Sequence, residues 1–94
     1  MKFEWNEQKN RTNYRKHGIA FESVLPLFED EVPLLIELDD RQDYDEDRWV
    51  GLGPLKQHVV VVVFTEPEYD TIRLISARKA NQHERQKYLN ALGN

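Results

Sequence analysis

Five consecutive valines, Val59 to Val63, running into Phe64, constrain this chain more than any other segment. β-Branched side chains are stiff at χ1 and suit the pleated surface of a sheet. A run without polar alternation marks a strand covered on both faces, so "HVVVVVFTE" belongs at the centre of a sheet. The runs "PLLIEL", "RWVGLG" and "TIRLISA" are β-rich as well. They are divided by an acidic loop, a turn around Gly53 and Pro54, and a turn across Pro67 to Asp70, and together they read as a consecutive antiparallel meander. The "TIRLISA" strand should lie beside the valine strand.

Helices flank this meander. Asn6 offers an N-cap oxygen to "EQKNRTNYRKH", and Gly18 can take the left-handed conformation that ends it. A second, shorter helix fits "FESVLPLF", with no side-chain cap at Ala20 and a kink or an end near Pro26, which lacks a backbone donor. Asn81 and Glu84 have the spacing of an N-cap and its N3 partner, opening "QHERQKYLNAL" before Gly93. "FEW", residues 3–5, reads as an edge strand or a docking segment. The order is (β)ααββββα, an α+β fold within a single domain spanning 1–94.

At 94 residues with ten aromatics the chain can build one adequate core without disulfides or metal. It contains no cysteine, which fits a reducing compartment and points to the cytoplasm. "MKFEWNEQKN" lacks the apolar core of a signal peptide, and Val59 to Phe64 is too short to span a bilayer.

The net charge of −4 argues against nucleic-acid binding only on average, because the charge is segregated. Residues 1–28 carry +2, residues 29–47 carry −9 with ten anions and one cation, residues 48–70 carry −1, and residues 71–94 carry +4. A chain with basic ends and an acidic middle can present a cationic face to RNA and an anionic one to a basic partner. A solvated surface is the plainer explanation of the same pattern.

Several residue groups bear on chemistry. Asp43, Asp45 and Asp47 have the alternate spacing of a calcium loop, but Arg48 stands where the sharp turn needs Gly and Pro54 where the last ligand belongs, so that motif fails. No metal or cofactor is expected. His17 ends the first helix in "RKHG", where the helix dipole favours its charged form while Arg15 and Lys16 oppose it. His58 opens the valine strand at the rim, and His83 reads as an exposed residue of the last helix. Arg73 and Arg78 lie on opposite faces of a regular strand and share a face only if a bulge or the strand's end intervenes. Such arginines either pair with the acidic loop or, together with Arg48, form a phosphate site.

"FEWNEQKNRTNYRKHGIAFESVLPLFED", "DRWVGLG", "VVVVVFTE" and above all "IRLISARKANQHERQKY" resemble the BrnT family of bacterial toxins over nearly the whole chain. The resemblance implies a RelE-like ribonuclease with a small antiparallel four-stranded sheet, two N-terminal helices and one C-terminal helix. It also implies a BrnA-type antitoxin that binds DNA, neutralises the toxin in a hetero-oligomer and links it to operator DNA only indirectly. The implied reaction is metal-free RNA cleavage by the ribose 2′-hydroxyl, which needs a proton acceptor, a proton donor and cations beside the developing charge. Placed on this chain, Arg48, Arg73 and Arg78 grip the phosphate and Lys79 assists. His17 with Lys16 contributes proton transfer or charge, and Arg85 adds to RNA binding. A catalytically inactive module that holds the antitoxin, and a degenerate toxin, are the alternatives.

Overall fold

The computed structural model describes residues 1–39 and 46–93. Its elements are β1 (Lys2–Glu4), α1 (Glu7–His17), a 3-10 turn (Phe21–Val24), α2 (Pro26–Glu29), β2 (Leu35–Asp39), β3 (Arg48–Leu55), β4 (His58–Glu68), β5 (Thr71–Lys79) and α3 (Gln82–Ala91). Asp43 and Asp45 of the failed calcium motif lie outside the described residues.

The strands form one sheet in the order β1-β5-β4-β3-β2, with the valine strand β4 at the centre and β5 beside it. Strands β2 to β5 are the antiparallel meander that the turns predict. The valines divide between two cores. Val60 and Val62 join Phe21, Val24, Leu27 and Leu74 under α1 and α2, while Val61 joins Leu52, Ala80 and Tyr88 under α3. Phe21 is fully buried, a contribution of roughly 1.5–3 kcal/mol from apolar transfer.

Three expectations are corrected. The edge-strand reading of residues 3–5 holds with a shift of one residue, but β1 pairs parallel to β5, with Phe3 opposite Ile72, so the sheet is five-stranded and mixed rather than four-stranded and antiparallel. Apolar contact holds this short strand, the Phe3 ring lying 5.8 Å from that of Phe28. The helix over "FESVLPLF" is in fact a 3-10 turn followed by α2. Pro26 begins α2 rather than breaking a longer helix, since a first-turn residue needs no intrahelical donor. Gly53 and Pro54 sit inside β3, and the reversal falls at Lys56, whose φ is 55°. Gly53 is there for close packing: a β-carbon on it would come within 2.9 Å of Leu27 Cδ2 and 3.1 Å of Leu34 Cδ1. Pro54 lies past Leu35↔Leu52, the end of the β2–β3 ladder, where β3 has one neighbour and a missing donor is tolerated.

Helix α1 has the predicted ends. The Asn6 side chain accepts from Lys9 N–H at 3.0 Å, and Gly18, at φ 72°, donates to Tyr14 C=O. Its packing face, however, is polar. Among the described residues the outer edge of β5 has no strand partner beyond Arg73, and Asn13 takes the place of one. Its amide donates to Ala77 C=O at 2.8 Å and accepts from Ala77 N–H at 3.1 Å, as a neighbouring strand would. The same amide donates to Ile19 C=O at 2.9 Å. Asn10 ties down the next segment, accepting from Phe21 N–H and donating to Glu22, each at 2.8 Å. That second bond holds the Glu22 carboxyl below its ordinary pKa.

Candidate active site

A β-bulge decides where the arginines point. The β4–β5 register passes from Phe64↔Leu74 to Val63↔Ser76, leaving Ile75 without a partner on β4. The extra residue inverts the alternation, so Arg73, opposite Thr65, and Arg78, opposite Val61, emerge on the same face. This is the face that α3 covers, since Val61 belongs to the Tyr88 core. Arg48 is opposite Asp39 on β2, and one step beyond Trp49↔Phe64 it falls level with Thr65 on that same face. One row of the sheet therefore runs Glu4, Arg73, Thr65, Arg48, Asp39. The Thr65 hydroxyl is wholly buried within it and has no hydrogen-bond partner among the described residues.

The three guanidiniums share a face but not a point. Four residues of β4 separate the rows of Arg73 and Arg78, about 13 Å at the usual rise. Arg73 is bound to Glu4 at 2.8 Å and approaches Glu46 at 3.7 Å. The Glu4 hydrogen bond and charge raise its pKa above the ordinary value. Arg78 lies deeper, in a cleft of about 390 Å³ between the sheet and α3. Val61 and Ser76 contribute to its floor, and His83, Glu84 and Lys87 to its helical wall.

Glu84 fixes Arg78 and the helix end together. It accepts two guanidinium N–H bonds, each at 2.8 Å. Its Oε1 also accepts from Asn81 N–H at 2.9 Å, completing the predicted capping box. The Arg78 hydrogen bond is the main cause of a Glu84 pKa lowered from 4.5 to about 2. A depressed carboxyl contributes stability that is complete above its unfolded value near 4.5 and is lost as pH falls toward 2. Glu84→Gln should therefore lose less stability than the parent between pH 5.5 and pH 3, by about 1 kcal/mol for a partly exposed pair. Thermal melts of both proteins at the two pH values check this, and equal acid sensitivity would dismiss the linkage.

The remaining sequence-predicted residues lie outside this cleft. Lys79 is opposite Val60 and so projects to the α1 face. Arg85 donates to Ala80 C=O at 3.1 Å. Lys16 and His17 line a separate groove with Lys9 and Ile75, between α1 and the edge of β5, which meets the cleft only at Ser76. His83 and Lys87, the first read as merely exposed and the second given no role, do line the cleft. Their i, i+4 spacing, with Tyr88 beside them as the buried residue, was the available signal. Lys87 also binds Glu37 of β2 at 2.8 Å, spanning the cleft. Among the described residues no group of three or more His, Asp or Glu is placed to hold a metal ion, and no helix is long and apolar enough to cross a membrane.

Comparison with known proteins places this chain in a family. The model described as "Ribonuclease toxin, BrnT, of type II toxin-antitoxin system" matches residues 5–84. The crystal structure of the Brucella abortus ribonuclease toxin BrnT is similar at TM-score 0.66 and 25% identity, covering 87% of this chain and 99% of that one. None of the curated proteins matches. With the match extending from Trp5, beside β1, to Glu84 in the cleft, the chain belongs to the BrnT family of ribonuclease toxins of type II toxin-antitoxin systems.

Proposed function

We infer that this chain is a metal-independent endoribonuclease, held in check by a BrnA-type antitoxin, that cleaves RNA through the ribose 2′-hydroxyl. The reading is supported by one arrangement: Arg78, His83 and Lys87 line a single cleft on the face that also carries Arg48 and Arg73. In the reaction a base takes the 2′-hydroxyl proton, the O2′–P bond forms, the P–O5′ bond breaks and an acid protonates O5′. The fork of Arg78 binds the non-bridging oxygens and stabilises the charge they gain. Proton transfer is assigned to His83, which shares the cleft with Arg78, ahead of His17. Arg48 and Arg73 hold phosphates further along the RNA, while Lys16, Lys79 and Arg85 place further cations outside the cleft and His17 lies with Lys16 in the separate groove.

A phosphate entering the cleft meets cations that already have partners. Arg78 is paired with Glu84 and Lys87 with Glu37, and Asp39 adds a further carboxylate. This pairing favours the second reading, an inactive module that binds antitoxin. Incubating the purified chain with RNA in excess chelator, alongside expression in cells without antitoxin, separates the two. RNA cleavage and growth arrest are expected. An intact fold with neither activity would leave the binding module.

A further inference from the structure

We propose that the outer edge of β2, with the apolar groove beside it on the α1 face, anchors an extended, cationic and apolar segment of the antitoxin; only the partner's identity rests on the toxin reading above. Strand β2 ends the sheet, and among the described residues no strand pairs with its outer side. The β5 side is guarded by β1 and by Asn13. Exposed edges are ordinarily blunted by charge, proline or a covering segment. Strand β2 instead turns Ile36 and Leu38 outward on the α1 face, 47% and 49% exposed. Ile36 continues into a groove of about 390 Å³ that includes Phe28, Leu34 and Trp49.

The charge around this surface selects its occupant. Glu66 lines the groove, exposed Glu29, Asp30 and Glu31 lead from α2 into β2, and exposed Asp47 precedes the strand of Trp49. An apolar centre with an acidic rim repels RNA and anionic lipid alike. It attracts a basic segment, with charge setting rate and register and apolar contact holding the complex. The outer backbone of residues 35–38, which pairs with no strand among the described residues, suits an extended chain added as a strand. Glu37 and Asp39, on the other face of the same strand, line the Arg78 cleft, and Leu38 between them borders it as well. An antitoxin seated here reaches the cleft's border while its anchor touches none of Arg78, His83 or Lys87.

The test titrates the full-length antitoxin with which the toxin is expressed against the parent, the Ile36→Lys/Leu38→Lys double variant and Arg78→Ala. The double variant should bind at least ~100-fold more weakly, and Arg78→Ala within ~3-fold of the parent. Parent affinity should fall as salt rises from about 0.05 M to about 0.5 M. The Ile36→Lys single variant, which leaves the lining of the Arg78 cleft intact, should still cleave RNA and should arrest growth even with antitoxin present. Parent-like affinity in a folded double variant overturns the proposal. So does hydrogen exchange on the unaltered complex, should protection be confined to the α3 face and leave residues 34–38 unchanged. RNA cleavage by the parent with antitoxin binding indifferent to positions 36 and 38 would sink the surface alone. Binding sensitive to those positions, in a chain that neither cuts RNA nor arrests growth, would sink the toxin reading alone.

Discussion

Alanine at position 78 is expected to lower RNA cleavage about 100- to 1,000-fold, the usual result of deleting one well-placed donor to a developing oxyanion. The fold should survive. Arg78 lies at the sheet surface rather than in either apolar core, and Glu84 keeps its capping bonds with Asn81 when the guanidinium is gone. The stability cost should thus be about 1 kcal/mol, typical of a partly exposed ion pair. Lysine at the same position retains the charge but not the planar fork, so its activity should fall between the two. Rates on one RNA substrate, with circular dichroism to confirm folding, decide the matter. A folded Arg78→Ala protein cutting at the parent rate would remove Arg78 from the mechanism.

Asn13→Leu should produce the largest loss of stability. Three backbone groups, Ile19 C=O, Ala77 N–H and Ala77 C=O, depend on this one amide. Asn13 is only 7% exposed, so water cannot easily replace it. Each orphaned buried group costs about 1–3 kcal/mol, and with partial relaxation the sum should reach about 3–5 kcal/mol. That is a large part of the roughly 5–15 kcal/mol available to a domain. Asn13→Asp keeps an acceptor for Ala77 N–H but sets a carboxylate against two carbonyl oxygens. It should be at least as damaging at neutral pH and partly recover once protonated. Urea unfolding measures both, and a loss below about 1 kcal/mol for Asn13→Leu would contradict the edge-plug account.

These two residues mark the boundary of what a linear reading can see. Asn6, Gly18, Asn81 and Glu84 announce helix ends by contacts within one turn, and the valine run declares its double burial without reference to anything distant. The meander followed from these local signals. By contrast, the edge strand read at residues 3–5 forms as β1, with only three residues, but nothing local announces its parallel pairing with a strand nearly seventy residues away. No alternation shows at that length. The bulge at Ile75 carries no glycine or proline to advertise it, although the need for one was visible in the spacing of Arg73 and Arg78. Asn13 looks like an ordinary polar helix residue until the unpartnered edge of β5 is brought against it. The Gly53-Pro54 pair was read as a turn because those residues usually make turns, whereas here packing against Leu27 decides. The cleft's membership was partly legible. Arg78 was identified by its chemistry, but Lys87 and His83 become neighbours of Arg78 only when Tyr88 docks α3 onto Val61 and Leu52.

The chemistry itself is tested most directly by the ends of the cut RNA. Attack by the 2′-hydroxyl, with Arg78 beside the phosphate, should yield a 2′,3′-cyclic phosphate or its 3′-phosphate hydrolysis product on one fragment and a 5′-hydroxyl on the other, in the presence of chelator. Fragments carrying 3′-hydroxyl and 5′-phosphate ends, or cleavage that vanishes with chelator and returns with a divalent ion, would contradict it.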